Sequence, residues 1–508
     1  MKFEAKLKPG ESEERLFKIA AQKVPGCKYV RILKKSLDAR NKADIRWLYS
    51  VEAERSAPLK KEKKIPQVAR QPRRVVVVGS GPAGLFCALR LLRGGIRPVL
   101  VERGGTVEER VLSYEHFFKS KVLDEECNIQ FGEGGAGTFS DGKLNTQTND
   151  PRNREVLETF ARFGAPEEIL WLNKPHIGSD ILRKVVVSMR KYILEQGGQV
   201  LFHTRFEGVT VSGGELREVR LRNLKSGEEY ALPASEVVLA VGHSSRDTFR
   251  RLRDAGFAMQ AREFAVGVRI EHLQEKISYA QYSAAHTLLP PADYKLISHA
   301  SGRNVFTFCM CPGGVVVPAS SEAGGVVTNG MSNYARDEKN ANSALLVQIR
   351  LSDFDSSDIL GGVEFQRKIE RAAYELGGRT YAAPVQRAED FLKKRASVRM
   401  GEVVPSYAAG TVPEDLDKIF PSYVSDALRA AIMDMDRRLK GFAHPDAVLT
   451  GAETRFSSPV RILRGENGES VNFAGVYPCG EGCGYSGGIT SSAADGIRTA
   501  ELICEKYL

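Results

Sequence analysis

The sequence predicts an α/β protein whose core is a parallel sheet, and three observations lead to this prediction. Residues 75–78 are four consecutive valines, the composition of a strand buried on both faces of a sheet. A glycine-rich turn and an apolar helix pattern follow directly, and residues 99–101 form a second short apolar run. Residues 471–508 repeat the order of strand, glycine-rich loop and helix. This order is typical of strand–helix–strand units with parallel strands.

The 508 residues suffice for two or three domains, and their composition is that of an ordinary globular protein. The net charge of +10 is spread along the chain, apart from short basic runs such as residues 60–64. We therefore expect the charge to serve an anionic cofactor and a small-molecule substrate. Nucleic acid is not an expected partner.

Residues 1–10 are highly charged and lack the apolar region of a signal peptide. The longest apolar stretch, residues 75–92, is interrupted by glycines and an arginine, so no membrane span is expected. Eight cysteines without a secretory context indicate a reducing compartment. The sequence thus predicts a soluble cytoplasmic protein and leaves its oligomeric state open.

The first segment, residues 1–66, predicts a small α+β unit in the order βαββ. Residues 3–7 alternate as a strand does, residues 16–24 have one apolar helical face, and two further strand-like runs follow. A basic linker extends from this unit to residue 74 and precedes the valine strand.

A nucleotide site is predicted where the valine strand ends, because residues 79–84 read Gly-Ser-Gly-Pro-Ala-Gly. Gly79 permits a tight turn, Gly81 lets a pyrophosphate approach the backbone, and Gly84 lets helix and strand pack closely. The helix N-terminus offers unpaired N–H groups to phosphates. Glu102 ends the second strand, where a carboxylate accepts from ribose hydroxyls and disfavours a 2′-phosphate. FAD and NAD both remain compatible with this unit.

Three later segments favour FAD. Residues 128–144 contain five glycines, so their backbone can lie along an extended ligand and donate N–H groups to it. A second apolar strand ends at Gly242, and residues 475–490 combine a strand, several glycines and the start of a helix. A second GxGxxG turn after a strand is lacking, so NAD(P)H, if it is the electron donor, would bind only transiently.

These segments resemble the nucleotide-binding motifs of Rossmann-type flavoproteins. More narrowly, residues 131–144, 308–314, 453–462 and 477–481 resemble a bacterial family usually called FAD-dependent dehydrogenases. The resemblance spans nearly the whole chain and implies FAD as the cofactor, but it implies no substrate. One departure is Cys483, which stands where a small residue is expected.

The resemblance also implies roles for individual residues. Glu481 should bond the ribityl chain, and the helix that starts near Gly488 should point its N-terminus at the flavin pyrimidine ring. Arg103 and Arg110 are candidates to neutralise the pyrophosphate, or else solvated arginines. The full set of cofactor-binding candidates is Gly79, Gly81, Pro82, Ala83, Gly84, Glu102, Arg103, Arg110, Gly134, Gly135, Ala136, Gly137, Thr138, Lys143, Leu144, Val209, Gly242, Gly480, Glu481, Gly488 and Ile489.

The fold class is therefore a Rossmann-type FAD-binding domain, residues 75–263 and 471–508, with an inserted mixed α+β substrate domain, residues 264–470. Within the insertion the patterns predict strands and helices. The predicted strands are residues 265–270, 305–309 and 325–329, and the predicted helices are residues 341–350, 364–375 and 423–440.

Candidate catalytic residues come from the insertion. Cys309 and Cys311 close a strand and could line the flavin face, although buried thiols often act only as small apolar groups. The cysteine spacings match no common metal site, so no metal is expected. Arg455 lies beside a turn that could bind a carboxylate together with Arg461, or could anchor the insertion through ion pairs. His243 is a candidate acid or base, or a structural histidine.

The favoured function is an FAD-dependent dehydrogenase or reductase of a small organic substrate, with an anion as one option. A flavin-dependent hydroxylase-like enzyme is the first alternative. An RNA-interacting flavoprotein, with the basic N-terminal unit and linker as its arm, is the second.

Overall fold

The computed structural model describes residues 1–56, 65–146 and 148–508. The basic run at residues 60–64 and part of the predicted linker lie outside these ranges. Within them, no helix has both the length and the apolar composition needed to cross a membrane.

The N-terminal unit has the predicted βαββ order and forms an antiparallel sheet with its third strand in the centre. Apolar residues of its helix pack on the sheet and close a small separate core. Backbone hydrogen bonds between Lys35 and the segment at Trp171 and Asn173 attach the unit to the rest of the chain. Its elements are β1 (Lys2–Leu7), α1 (Glu14–Lys23), β2 (Tyr29–Asp38) and β3 (Arg46–Glu54).

The next segment alternates strands and helices, as its valine strand and helix patterns predict. Its elements are β4 (Val75–Val78), α2 (Pro82–Arg93), β5 (Val99–Val101), α3 (Val107–Ser120), α4 (Arg152–Arg162), α5 (Ser179–Glu195), β6 (Gln199–Leu201), β7 (Thr204–Ser212), β8 (Glu215–Asn223), β9 (Glu229–Pro233), β10 (Glu236–Leu239), α6 (Arg246–Asp254) and β11 (Met259–Ala261).

The predicted insertion and the C-terminal segment follow. Their elements are β12 (Phe264–Leu273), α7 (Gln274–Tyr282), β13 (Ile297–Ser298), β14 (Val305–Cys311), β15 (Val315–Pro318), β16 (Thr328–Met331), β17 (Asn340–Ile349), α8 (Gly361–Leu376), β18 (Ala383–Arg387), α9 (Ala388–Leu392), β19 (Thr411–Pro413), α10 (Ser422–Asp436), β20 (Val448–Glu453), β21 (Val460–Ile462), β22 (Val476–Pro478) and α11 (Ile489–Lys506).

A five-stranded parallel sheet in the order β22-β10-β4-β5-β6 forms the first core. All four valines of β4 are buried because both faces of the sheet are covered. The C-terminal segment returns to this sheet through β22, and α11 packs on α2. This fold is α/β with a Rossmann-like parallel sheet.

A seven-stranded sheet in the order β13-β14-β17-β12-β20-β18-β19 forms the second core. The predicted helix at residues 341–350 is wrong, because residues 341–349 lie in β17, between β14 and β12. Nearly every residue of β17 is buried, so its apolar run shows neither a helical nor an alternating period.

The two cores are joined where β11, just before the predicted insertion, pairs with β21, near the C-terminal end of that insertion. This pairing is compatible with a division near residues 263 and 471. The domain boundaries themselves stay a prediction.

Candidate functional site

The turn from β4 into α2 is built from glycines that meet different surroundings. A Cβ on Gly79, whose φ is 102°, would lie 2.3 Å from the carbonyl oxygen of Ala240, and one on Gly84 would lie 1.8 Å from that of Gly79. A Cβ on Gly81 would meet only the Cα of Gly135, at 3.9 Å. Gly81 is also the N-cap of α2 and provides no side-chain cap. Space for a ligand therefore lies in front of the unpaired N–H groups of α2.

Glu102 connects three loops beneath this turn. Its carboxylate accepts hydrogen bonds from Ser80 N at 2.9 Å and Ser80 Oγ at 2.7 Å. It also accepts from Gly104 N and Gly132 N, each at 3.0 Å. These donors use about four acceptor positions, the capacity of a carboxylate. The predicted contact with a ribose therefore requires the Ser80 hydroxyl to turn away, and it stays a prediction.

Arg110, on α3, holds the glycine-rich loop from inside. Its guanidinium is completely buried and donates to five backbone carbonyls of the loop. These belong to Asn128, Ile129, Gly132, Glu133 and Gly135. Burial lowers the pKa of Arg110 to about 10, so the group remains cationic at neutral pH. Its charge shapes the loop and is not available to a pyrophosphate, which corrects the expectation for this residue.

Arg103 is also committed to protein partners. Its two terminal nitrogens donate to the Asp247 carboxylate at 2.9 and 3.0 Å, and Nε donates to Glu126 at 2.7 Å. Both partners help to hold the pKa of Arg103 above its usual value against the opposing effect of burial. The expectation that Arg103 neutralises a pyrophosphate is corrected for the same reason.

The C-terminal motif meets both earlier loops. A Cβ on Gly480 would lie 2.9 Å from the Cβ of Ala83, and one on Gly137 would lie 3.1 Å from Ile489 Cγ1. Thr490, in the first turn of α11, donates to the carbonyl of Leu144 at 2.7 Å. The predicted residues on three distant segments are thus brought together around one place.

The start of α11 faces open space. Gly488 is its N-cap and gives no side-chain hydrogen bond to the helix. A Cβ on Gly487 or Gly488 would meet nothing within 4 Å. Unpaired N–H groups at this end favour negative charge on a ligand.

His243 and Glu481 form a pair between β10 and the C-terminal motif. His243 Nδ1 lies 3.2 Å from Glu481 Oε1. His243 Nε2 is buried and has no hydrogen-bond partner in the part of the chain that the structure describes. Close packing fixes the pair, since a Cβ on Gly482 would lie 2.4 Å from the carbonyl oxygen of Gly242. The imidazole is therefore a candidate hydrogen-bonding group for a bound ligand.

Other predicted residues support the site from behind. Thr138 Oγ1 donates to the carbonyl of Glu133 at 3.3 Å and is buried inside the glycine-rich loop. Val209, on β7, packs against the apolar core beside β4 and β5. Cys483 donates to the carbonyl of Leu239 at 3.1 Å, which makes this unexpected residue part of the packing of β10.

Arg455 lies in a buried ion-pair network and is not a free carboxylate receptor. Arg455 Nε and Arg246 Nη2 lie 2.9 and 2.8 Å from the same oxygen of Glu370. Arg246 Nη1 lies 2.6 Å from Glu322. Although burial alone would raise it, the two arginines hold the pKa of Glu370 well below its usual range. The catalytic expectation for Arg455 is corrected: the residue ties β20 to α6 and α8.

The structure gives Arg461 a different partner from the one expected. Arg461 Nη2 donates to the carbonyl of Gly484 at 2.9 Å, and Arg262 Nη1 donates to the same oxygen at 2.7 Å. Nothing in the sequence near Arg262 points to this site, because Arg262 lies 222 residues before Gly484 along the chain.

Cys309 and Cys311 adjoin the glycine-rich loop. The Lys143 side chain donates to the carbonyl of Met310, between the two cysteines. The buried Arg269 donates to the carbonyl of Cys309 at 2.9 Å, and its Nη1 lies 3.6 Å from Glu453. Burial raises the pKa of Glu453 to about 7.

Comparison with known proteins agrees with this geometry. Residues 263–456 match a family model described as FAD-dependent protein, C-terminal domain-like. Residues 73–259 match a model of pyridine nucleotide-disulphide oxidoreductases. A protein of Clostridium beijerinckii described as uncharacterized is 45% identical over 497 residues, 94% of this chain and 92% of that protein. The chain belongs to this family of FAD-dependent proteins. It is an FAD-dependent oxidoreductase.

Solved structures are more distant from this FAD-dependent oxidoreductase. A flavin-dependent brominase is 13% identical, with a TM-score of 0.39, over 85% of this chain and 80% of that one. A geranylgeranyl bacteriochlorophyll reductase-like protein of Thermoplasma acidophilum is 13% identical, with a TM-score of 0.37, over 86% and 78%.

The residues of the oxidoreductase fit FAD. The uncapped start of α2 at Gly81 suits the pyrophosphate, and the uncapped start of α11 at Gly488 suits the electron-rich edge of a flavin. Between them, His243 Nε2, which has no hydrogen-bond partner in the described residues, and the carboxylate of Glu481 offer hydrogen-bonding groups for the ribityl chain.

Replacing Gly81 with valine should abolish FAD retention without unfolding the protein. The protein itself leaves room for a side chain there, so the side chain takes the place of the pyrophosphate. Flavin absorbance per protein and the thermal unfolding temperature are measured together. Gly84→Ala is the contrast, because its Cβ would collide with Gly79 and lower the unfolding temperature. A folded Gly81→Val protein with a full complement of FAD would show that the pyrophosphate lies elsewhere.

Replacing Arg110 with lysine should cost about 3 kcal/mol or more of the free energy of unfolding, because a lysine cannot reach all five carbonyls. Urea denaturation of the flavin-free protein measures this. Arg154→Lys, on the exposed side of α4, is the control. Equal stabilities of the two variants would contradict the role given to Arg110.

Proposed function

We propose that this FAD-dependent oxidoreductase is a dehydrogenase or reductase of a small organic anion. Support comes from Arg262 and Arg461, whose guanidinium groups converge on the carbonyl of Gly484. Gly484 lies in the C-terminal motif between Glu481 and Gly488, the residues that fit the ribityl chain and the flavin. The two arginines therefore stand beside the expected position of the reacting ring.

The electrostatics of this pair favour an anion. Within residues 1–56, 65–146 and 148–508, neither guanidinium forms an ion pair with a carboxylate, and their shared partner is a neutral carbonyl. Burial and the charge of Arg461 lower the pKa of Arg262. A carboxylate or similar group bound between them would relieve this repulsion and accept bidentate hydrogen bonds.

The proposed chemistry rests on the contact between the N-terminus of α11 and the glycine-rich loop. Gly137 and Leu144 contact the first two residues of this helix, and its N-terminus is uncapped. FAD bound there would supply two-electron transfer to or from the substrate. The helix N-terminus would stabilise negative charge at that edge by about 0.3–1 kcal/mol, and up to about 2 kcal/mol when partly buried.

The purified protein should be yellow and should release FAD on heating, because the open turn at Gly81 leaves room for the pyrophosphate of an adenosine dinucleotide. Chromatography of the supernatant identifies the flavin. A supernatant that contains only FMN, or only nicotinamide, would contradict the proposal. Oxygen uptake coupled to nicotinamide oxidation would indicate the hydroxylase-like alternative instead.

Small carboxylates should perturb the flavin absorption spectrum of the holoprotein. With succinate as the probe, Arg461→Gln and Arg262→Gln should each weaken binding about tenfold or more, as expected for the loss of a charged hydrogen bond. Arg250→Gln, on the exposed side of α6, is the matched control. Unchanged affinity in both variants would assign the anion to another place.

A further inference from the structure

The backbone around Cys309 is irregular and places the thiol of Cys311 against the carbonyl of Cys309. The register of β14 against β17 shifts between Phe308 and Cys311, and Cys309 has a φ of 42°, in the left-handed region. On a regular strand, residues two apart have Cα atoms about 6.6 Å apart, near the outer limit for a disulfide. Here the irregular backbone brings Cys311 Sγ to 3.3 Å from the carbonyl oxygen of Cys309.

The two thiols differ in exposure. Cys309 is partly exposed, whereas Cys311 is completely buried beneath it. This is the arrangement of an attacking thiol that a small molecule can reach and a resolving thiol that it cannot.

Positive charge faces the pair from two sides. Arg269 Nη2 lies 3.7 Å from Cys311 Sγ and 2.9 Å from the carbonyl oxygen of Cys309. Lys143 reaches the intervening carbonyl of Met310 from the glycine-rich loop. Arg269 Nη1 is buried and makes no hydrogen bond in the described part of the chain, so part of its donor capacity is unused.

The surroundings shift the pKa values of the two thiols in opposite directions. The side-chain contact with Cys311 lowers the pKa of Cys309, helped by the charges of Arg269 and Lys143 and opposed by burial and by the charge of Asp141. The same contact, together with burial, raises the pKa of Cys311 well above its usual value. Cys309 is therefore the more acidic of the two thiols.

We propose that Cys309 and Cys311 form a redox-active dithiol that exchanges with small-molecule disulfides, with Cys309 as the attacking group and Cys311 as the resolving group. Nothing in this chemistry depends on the anion proposed above. The pair nevertheless adjoins the glycine-rich loop, because Lys143 of that loop donates to the carbonyl of Met310. The next residue, Leu144, accepts a hydrogen bond from Thr490 at the start of α11.

The reaction balances as follows. The Cys309 thiolate attacks one sulfur of a disulfide RSSR′, so that a bond between Cys309 and the RS group forms and R′S⁻ leaves. Cys311 loses its proton and attacks the sulfur of Cys309, which releases RS⁻ and closes the Cys309–Cys311 disulfide. Two thiols are oxidised, RSSR′ is reduced to two thiols, and the leaving thiolates take up one proton from Cys311 and one from water.

The test uses the holoprotein and 2-hydroxyethyl disulfide as the probe. After incubation, free thiols are alkylated and peptides are analysed by mass spectrometry. We expect an internal disulfide in the peptide that contains Cys309 and Cys311. Cys311→Ser should instead trap a mixed disulfide at Cys309, and Cys309→Ser should give neither product. Cys27→Ser, at a partly exposed thiol of the N-terminal unit, should leave the internal disulfide unchanged.

A second measurement needs no cysteine variant. The rate of alkylation of Cys309 by iodoacetamide should rise with pH and reach half its maximum below the ordinary thiol pKa of about 8.5, because the pKa of Cys309 is lowered. Lys143→Gln should move this midpoint to higher pH, because the lysine charge stabilises the thiolate. Cys27 in the same samples gives the comparison rate.

The proposal is overturned if the wild-type protein forms no internal disulfide and Cys309 alkylates no faster than Cys27 at about pH 7. The flavin absorbance of the same samples separates this failure from a failure of the FAD assignment. A protein that keeps its flavin but fails the thiol test would leave the oxidoreductase assignment standing and remove the dithiol.

Discussion

The site depends on the contact of three glycine-rich loops with almost no side chains between them. Gly84 packs on the carbonyl of Gly79, Gly480 packs on Ala83, and Gly137 packs on Ile489. A Cβ would press on a neighbour at each of these glycines. The loops can approach so closely because Arg110 and Glu102 satisfy the loop backbone from behind, with a buried cation for the carbonyls and a buried carboxylate for the N–H groups.

The arginines near the site fall into two groups, which differ in how deeply the guanidinium is buried. Arg110 and Arg246 are completely buried. Arg110 donates to loop carbonyls, and Arg246 donates to the carboxylate of Glu370 on α8. Arg262 and Arg461 are half-buried and share only a neutral carbonyl. A half-buried guanidinium of the second group can still reach a ligand, which supports the anion site proposed above.

Local patterns were predictable, and long-range partners were not. The strand 75–78, the turn at Gly81 and the C-terminal helix follow from residues that are adjacent in sequence, and the structure contains all three. The sequence pattern of β17 predicts a helix, because burial on both faces removes the alternation that identifies a strand. Arg103, Arg110 and Arg455 bond to protein groups that lie between 18 and 144 residues away along the chain. The sequence shows the positive charges but not these partners, so a bound ligand was the expected partner.

The most direct test of the account is a high-resolution crystal structure of the yellow holoprotein. We expect density for FAD with its pyrophosphate in front of Gly81 and the pyrimidine edge of its ring facing Gly488. Arg110 should still lie inside the glycine-rich loop without touching the cofactor. A cofactor bound elsewhere, or a pyrophosphate paired with the guanidinium of Arg110, would contradict the account.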